Sequence, residues 1–199
     1  KFSINSSTGA LTFSTAPDFE TPTDTGTDNV YDVIVQVSDG TLTDTQAIAV
    51  TVTPVNDNTP TITSNGGGAT AAVNIAENSS AVTTVTATDA DLPAETLTYS
   101  ITGGVDQLDF AINPTSGTLV FLSAPDFEAP ADADTDNVYE VEVTVSDNNG
   151  GTDVQTVFVT VNDVNDNAPI VTASQTFNVS EDAADTTSIG FVSAMDVDT

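Results

Sequence analysis

The segment Tyr139-Glu-Val-Glu-Val-Thr-Val145 alternates apolar and polar residues without interruption. A period of two is typical of a β-strand that buries one face and exposes the other to water. Similar short runs, separated by turn signals rich in Asn, Gly and Pro, predict seven strands at about 71–76, 82–88, 96–101, 108–113, 118–122, 138–146 and 153–162. Seven strands in about 100 residues, with no helical period, predict an all-β sandwich.

The sequence contains an internal repeat. The matching segments are Phe2–Phe13 with Phe110–Phe121, Ala16–Glu20 with Ala124–Glu128, and Asp28–Tyr31 with Asp136–Tyr139. All three pairs have the same offset, and Val55-Asn-Asp-Asn58 returns as Val164-Asn-Asp-Asn167 one position later than that offset. A period of about 108 residues is too long for one unit of a solenoid and fits whole domains in tandem.

The repeat therefore predicts domain boundaries. Residues 61–169 are expected to form one complete repeat. Residues 1–60 correspond to the back part of a preceding repeat, and residues 170–199 to the front part of a following one. We expect the sequence to begin and end inside domains of a longer array. A second hypothesis is head-to-tail self-association, in which the two partial repeats of different copies complete each other by strand donation.

The charge of the chain excludes several functions. It has 30 acidic residues and one basic residue, Lys1, with a formal net charge of −29 and no His or Cys. Without basic side chains it cannot neutralise nucleic-acid phosphates, and without His or Cys it lacks the usual zinc, haem and thiol chemistry. No apolar run approaches the length of a membrane-spanning helix, so no membrane span is expected in this segment.

The composition nevertheless predicts a folded chain. Hydrophobic residues make up 38% of the sequence, and Val, Ile, Thr and Phe alternate with polar residues. An excess of Asp over Glu, together with many Asn and Gly residues, is typical of Ca²⁺-binding loops, because Ca²⁺ takes oxygen ligands from short side chains and carbonyls. A salt-adapted acidic surface without a specific ion explains the composition equally well.

The acidic residues concentrate at strand ends and at the linker 55–60. If the sandwiches run pole to pole, six carboxylates meet at one junction: Asp18, Glu20, Asp57, Asp89, Asp91 and Asp147. No Arg or Lys is available to compensate them, so they either become protonated or bind divalent cations. Calcium is the natural candidate, because only oxygen ligands are present.

These motifs resemble those of the cadherin repeat, and the resemblance covers essentially the whole chain. The matching segments are Glu77-Asn78, Asp18-Phe-Glu20, Asp126-Phe-Glu128, Asp89-Ala-Asp91, Asp196-Val-Asp198 and the linker Asp163-Val-Asn-Asp-Asn-Ala-Pro169. The resemblance implies tandem seven-stranded Greek-key sandwiches of the immunoglobulin-like, cadherin type. It also implies about three Ca²⁺ ions at each junction between repeats.

The resemblance implies two sets of calcium ligands. The first junction would use Asp18, Glu20, the Val55 carbonyl, Asn56, Asp57, the Asn58 carbonyl, Asp89, Asp91 and Asp147. The second would use Glu77, Asp126, Glu128, the Val164 carbonyl, Asn165, Asp166, Asn167, Asp196 and Asp198. Asp39 matches Asp147 and would serve a junction above this segment.

Three features depart from the family pattern. Phe replaces the Arg of the Asp-Arg-Glu motif, and Pro54 stands where Asp163 begins the second linker. There is no Trp, so the strand-swapped dimerisation of vertebrate cadherins is not implied. The near-absence of basic residues and the Thr-rich strands look more like repeats of large microbial surface proteins.

The function implied is a calcium-rigidified extracellular extension or adhesion module, a stalk or filament at the cell surface, whose partners are neighbouring repeats or further copies. The alternative is a module that binds a glycan or a partner cadherin-like domain directly. Acid pairs such as Asp126 and Glu128 recur at linkers rather than in a cleft, so no enzyme is expected.

One further segment resembles an ion-binding loop. Asp132-Ala-Asp-Thr-Asp136 begins like an EF-hand loop, but Asn137 replaces its Gly and Val143 its final Glu. A solvated acidic loop is the favoured interpretation, and an additional ion site is the alternative.

Overall fold

Residues 1–198 are described by a computed structural model in which every regular element is a strand or a short 3₁₀ turn. The 3₁₀ turns are Ser64–Gly66 and Gln107–Asp109. The strands are β1 (Phe2–Ile4), β2 (Leu11–Phe13), β3 (Val30–Ser38), β4 (Thr43–Thr51), β5 (Thr61–Ile62), β6 (Thr70–Ala76), β7 (Ala81–Thr84), β8 (Ala87–Thr88), β9 (Thr98–Gly103), β10 (Phe110–Ile112), β11 (Thr118–Phe121), β12 (Val138–Ser146), β13 (Thr152–Asn162), β14 (Ile170–Val171) and β15 (Ala194–Met195).

The chain divides into two compact units. Unit 1 contains Lys1–Ile62, Ala87–Thr98 and Val145–Asp153. Unit 2 contains Thr63–Thr86, Tyr99–Thr144 and the residues from Val154 onward.

Unit 1 is built from antiparallel strand pairs. Strand β1 pairs with β2, β3 with β4, and β5 with β8. Phe2 and Phe13 face each other across the first pair with ring centroids 4.6 Å apart, and Tyr31 meets Phe13 edge-on at 5.3 Å. This aromatic group anchors the hairpin through tilted and edge-to-face ring contacts.

The sandwich has a four-stranded sheet, in the order β6-β13-β12-β9, and a three-stranded sheet, in the order β10-β11-β7. Strand β6 joins β13 in parallel, from Thr70 opposite Thr156 to Ala76 opposite Asn162. Strand β11 pairs antiparallel with both β10 and β7. The all-β sandwich expected from the sequence is confirmed.

The core follows the alternation seen in the sequence. On β12, Tyr139 is 1% exposed and Val141 and Val143 are fully buried, while Glu140 and Glu142 on the other face are partly exposed. The Tyr139 ring meets the Phe121 ring edge-on, with centroids 4.9 Å apart, and the centroids of Phe121 and Phe110 are 4.3 Å apart. The aromatic group of unit 1 is thus repeated one period later in the sequence.

The second predicted strand, at about 82–88, is divided in the structure. Strand β7 pairs with β11, whereas β8 pairs with β5. Val85, between them, is fully buried and donates its N–H to the Gly117 carbonyl at 2.9 Å. The predicted strand is interrupted at Val85 because its two halves hydrogen-bond to different partner strands.

The turn Asn113–Gly117 precedes β11, and its counterpart Asn5–Gly9 precedes β2. The Asn113 side-chain oxygen accepts the N–H groups of Thr115 and Ser116, each at 3.0 Å. The turn ends at Gly117 with φ of 68°, in the left-handed region that glycine adopts without strain. A methyl group at this position would collide with the Val85 carbonyl oxygen.

We predict that Gly117→Ala lowers the free energy of unfolding by about 3 kcal/mol, because left-handed strain adds to this collision. Gly9→Ala is the matched control: Gly9 has φ of 74° at the equivalent position, and a Cβ there would meet no atom within 4 Å. Urea unfolding followed by circular dichroism measures both variants. Equal losses would show that the Val85 carbonyl imposes no constraint.

Candidate metal sites

The Asp-Phe-Glu motif forms the same turn in both units. Asp18 Oδ1 accepts the backbone N–H groups of Glu20 and Thr21, each at 2.9 Å. Asp126 Oδ1 accepts those of Glu128 and Ala129, each at 3.1 Å. An Asp side chain that bonds its own backbone two residues on stabilises a tight turn, and here it fixes the backbone of the glutamate that follows.

The first acidic cluster lies within unit 1. Carboxylate oxygens of Glu20, Asp57 and Asp91 lie within 4.8 Å of one another, as do those of Asp89, Asp91 and Glu95. Asp91 belongs to both groups and is only 3% exposed. The Asp89 Oδ2 atom is buried and has no hydrogen-bond partner among residues 1–198. The cluster thus contains an unpaired, desolvated carboxylate oxygen, which is costly unless a cation contacts it.

Linker amides and a buried turn surround this cluster. The Asn58 side-chain amide donates to Asp91 Oδ1 at 2.9 Å, and the Asn56 amide donates to Glu95 at 2.8 Å and to Asp147 at 3.2 Å. Asp147 is 2% exposed, and its Oδ1 accepts the Asn149 N–H at 2.7 Å. These donors offset part of the repulsion between the carboxylates.

The second acidic cluster lies within unit 2. Carboxylate oxygens of Glu77, Glu128 and Asp163 lie within 4.8 Å of one another, and so do those of Glu128, Asp166 and Asp198. Glu128 belongs to both groups, and its buried Oε1 atom has no hydrogen-bond partner among the described residues. The two clusters therefore share their composition, all oxygen, and each holds an unsatisfied buried carboxylate oxygen.

Glu77 ties the second cluster to the linker that follows β13. It is 4% exposed, and its two oxygens accept the backbone N–H groups of Phe127 and Val164, each at 2.8 Å. The Asn167 amide donates to Asp198 Oδ1 at 3.0 Å, as Asn58 does to Asp91 in the first cluster. The linker amide thus occupies the same place in both clusters.

Several carboxyl groups in the clusters have altered acidity. Desolvation raises the pKa of Glu128, and the negative charges of Glu77, Asp163 and Asp198 raise it further. The Asn58 amide is the largest cause that holds the pKa of Asp91 below its ordinary value. The backbone N–H of Asn149 lowers the pKa of Asp147 in the same way. The negative charge of Glu128 is therefore disfavoured in the absence of a cation.

The structure brings most of the predicted ligands together. In unit 1 these are Glu20, Asn56, Asp57, Asn58, Asp89, Asp91 and Asp147, and in unit 2 they are Glu77, Glu128, Asp166, Asn167 and Asp198. Asp196 lies beside them, accepting the Asp198 N–H at 3.3 Å.

The remaining predicted ligands lie elsewhere or act through the backbone. The side chains of Asp18 and Asp126 close the turns described above. Val55, Val164 and Asn165 are exposed. Asp39 caps the β3–β4 hairpin, where backbone N–H groups of Leu42 and Thr41 lower its pKa, and it joins neither cluster. Its role at another junction stays a prediction.

Two cluster members were missed by sequence reasoning. Glu95 lies outside the matching motifs, and only its closeness to the Asp89-Ala-Asp91 segment could have indicated it. Asp163 was recognised as the first linker residue but was not chosen as a ligand, and Pro54 stands in its place in the other linker.

The EF-hand-like segment is also drawn together. Carboxylate oxygens of Asp132, Asp134 and Asp136 lie within 4.8 Å of one another. Asp134 and Asp136 are exposed, as expected of a solvated loop, but Asp132 is 3% exposed and accepts the backbone N–H groups of Asp136 and Asn137. The buried Asp132 side chain therefore stabilises the backbone conformation of this loop.

Among the residues that the structure describes, no basic side chain neutralises either cluster. Lys1, the one basic residue of the sequence, lies over the Tyr31 ring at 5.3 Å from its centroid. An all-oxygen donor set of carboxylates, amides and carbonyls suits a hard divalent cation such as Ca²⁺. The unpartnered oxygens of Asp89 and Glu128 are consistent with such an ion.

Within residues 1–198, no helix is long and apolar enough to cross a bilayer.

Comparison with known proteins supports the family suggested by the motifs. Residues 71–164 match the model of the cadherin domain. Human protocadherin Fat 1 is 32% identical over 163 residues, which is 78% of this chain and 3% of that protein. The chain thus spans a very small part of the length of this curated relative.

Solved cadherin structures share the fold. The human CDH23 EC21–23 fragment superposes with a TM-score of 0.73 at 23% identity, over all of this chain and 62% of that one. The cis-dimer structure of protocadherin gammaB7 EC3–6 superposes at 0.72 and 24% identity, over all of this chain and 49% of that one. With the motifs, the sandwich and the family match in agreement, this chain belongs to the cadherin repeat family.

Proposed function

We propose that this chain is a calcium-rigidified extension module of an extracellular adhesion protein, a segment of a stalk or filament. Cadherins are a non-enzymatic adhesion family that generally binds Ca²⁺. The observation that carries the proposal is the pair of acidic clusters, each centred on a shared carboxylate and each with an unpartnered buried oxygen. Placement outside the cell agrees with sites that operate at the millimolar calcium concentrations found there.

The residues that would hold the ions are the ligands assigned from the motifs, and the closeness of Glu95 and Asp163 to the other cluster carboxylates supports adding these two. About three ions per junction is the number that the family resemblance implies. Bound Ca²⁺ would supply the positive charge that the chain lacks. The chain's own part is to hold carboxylates from distant segments at one point: Glu20, Asp57 and Asp91 in the first cluster.

Cation binding is then coupled to mechanical order. Without a cation the carboxylates repel one another, and the linker 55–59 is held by the Asn56 and Asn58 side-chain amides and by the backbone N–H groups of Asp57 and Asn58, which donate to Asp91. Bound Ca²⁺ would neutralise these carboxylates, and it would thereby hold the linker together with the loops that carry Glu20 and Asp91. Neighbouring repeats of the same chain are the partners that this stiffening requires.

We expect Ca²⁺ to stabilise the protein strongly and reversibly. At 100 times the dissociation constant, one site adds about 2.7 kcal/mol to the free energy of unfolding, which raises the melting temperature by several degrees. The measurement is a thermal melt of the chain in Ca²⁺, in Mg²⁺ and in chelator, with ionic strength matched by NaCl. Superimposed Ca²⁺ and chelator curves would mean that the acids are only a salt-adapted surface.

Neutralising Glu128 should have opposite effects with and without calcium. Because the folded-state pKa of Glu128 is raised, its charge costs stability once the pH exceeds the ordinary glutamate pKa, and the cost grows as the pH rises through the folded-state value. Glu128→Gln is therefore more stable than wild type in chelator at pH 7 and gains less from Ca²⁺.

Glu140→Gln, on the outer face of β12, is the control for loss of one charge. Melts of both variants at several pH values in chelator and in Ca²⁺ test the prediction. If Glu128→Gln gains as much from Ca²⁺ as wild type does, then Glu128 is not a ligand.

The stiffening itself should be visible in the first linker. We expect the backbone order parameters of Val55–Thr59 to rise from below about 0.6 in chelator to about 0.85 in Ca²⁺. Amides of β12 serve as the control, since they belong to the sandwich core. Nitrogen-15 relaxation measures both, and an unchanged linker would contradict the mechanical role while leaving calcium binding intact.

A further inference from the structure

The loop before β3 and the loop before β12 are built alike. In the first, Asp24 accepts the backbone N–H groups of Asp28 at 3.0 Å and Asn29 at 3.3 Å. In the second, Asp132 accepts those of Asp136 at 2.8 Å and Asn137 at 3.3 Å. Asp24 and Asp132 are 8% and 3% exposed. Each loop therefore folds around a buried aspartate that fixes the backbone of the asparagine at its end.

The side chains of Asn29 and Asn137 make the same hydrogen bond to a residue outside their own loops. Asn29 and Asn137 each have φ of 63°, a left-handed conformation that asparagine tolerates better than most residues. Asn29 Nδ2 donates to the Phe19 carbonyl at 2.9 Å, and Asn137 Nδ2 donates to the Phe127 carbonyl at 3.0 Å. The Oδ1 atom of each has no hydrogen-bond partner among residues 1–198. The side chain therefore acts through its amide nitrogen.

This contact falls on the peptide group that leads into a cluster carboxylate. The Phe127 carbonyl belongs to the peptide bond between Phe127 and Glu128, and Asp126 accepts the N–H of that same peptide bond. On its other side, the Phe127 N–H donates to Glu77. Glu128, which belongs to both groups of the second cluster, thus extends from a backbone held at three successive points.

The first unit repeats the arrangement at Glu20. Asp18 accepts the Glu20 N–H at 2.9 Å, and Asn29 holds the Phe19 carbonyl of the same peptide bond. The arrangement occurs in both units with nearly equal distances in equivalent bonds, which argues against a chance contact. The spacing between phenylalanine and asparagine along the chain is also the same in both.

We propose that Asn29 and Asn137 are positioning residues for the two metal sites: each clamps the peptide group before the cluster glutamate and so aims Glu20 or Glu128 at the cation. This inference rests on the proposed calcium function. Residues that orient a metal ligand through one hydrogen bond commonly change metal affinity by about 10- to 100-fold when removed. The acidic loops before β3 and β12 would then hold the backbone of the two ion sites in place through these asparagines.

The experiment compares Asn137→Gly with Asn29→Gly in the full chain. Glycine adopts the left-handed conformation freely, so each change removes the clamp without adding a clash. Calcium is titrated by calorimetry, and the amide resonances of Glu20 and Glu128 assign each binding step to its cluster. Asn137→Gly should weaken binding at the Glu128 cluster about tenfold and spare the Glu20 cluster, with the reverse for Asn29→Gly.

Asn65→Gly is the matched control, because Asn65 also has positive φ, at 51°, but hydrogen-bonds to Thr83, which belongs to neither cluster. It should bind Ca²⁺ as wild type does. Melts in chelator separate positioning from general stability, since a purely structural role would lower the chelator melting temperature and leave the calcium affinity of the folded protein unchanged. Affinities within twofold of wild type in both clamp variants would overturn the proposal.

Asn137→Asp covers the case in which the glycine variant does not fold. It keeps the size and the tolerance for positive φ but replaces the N–H donor with an acceptor facing the Phe127 carbonyl. The added negative charge alone would tighten Ca²⁺ binding, so weaker binding supports the clamp and tighter binding contradicts it. If wild type binds no Ca²⁺, the proposed function fails; if wild type binds and the variants match it, only this inference fails.

Discussion

Repulsion among carboxylates that no base compensates governs the loops and linkers of this protein. The sequence has 30 acidic residues and one basic residue, Lys1, and the Lys1 side chain lies over the Tyr31 ring. Backbone and side-chain amide N–H groups offset part of this repulsion by donating hydrogen bonds to the acids. Asp147 accepts three successive backbone N–H groups, and Glu77 accepts two from separate segments. Where such donors run out, at Asp89 and Glu128, an oxygen stays buried and unpaired.

The different roles of strands and loops follow from this repulsion. The strands bury Val, Tyr and Phe side chains, while the acidic residues of the clusters lie at turns and linkers. Some acids accept backbone N–H groups and so shape the turns, namely Asp18, Asp126, Asp24 and Asp132. Others face further carboxylates within a cluster, namely Glu20, Glu128, Asp91 and Asp198. Several acids do both, because Asp91 and Asp198 belong to the clusters and also accept backbone N–H groups of Asn58 and Asn167 in the linkers.

Sequence patterns predicted the strand positions well, because a period of two reports directly which face is buried. The predicted strands at 138–146 and 153–162 match β12 and β13 closely. The strand at about 82–88 was predicted as one, and the structure divides it because hydrogen-bond partners change at Val85. The partner strands lie at residues 118–121 and 61–62. These residues are distant from Val85 in the sequence, so the local pattern around Val85 could not predict the change of partner.

Residue type and spacing were enough to predict the alternation of the strands, the tandem repeat and the acidic motifs. They did not predict burial within the acidic loops: Asp132 and Asp134 belong to one loop, yet Asp132 is 3% exposed and Asp134 is exposed to solvent. Folding also brings Glu95 and Asp163 into the clusters and sets Asn29 and Asn137 against the phenylalanine carbonyls. Burial, repulsion and hydrogen bonding depend on which segments come close together in the folded chain. The spacing of residues along the sequence does not give the distances between such segments.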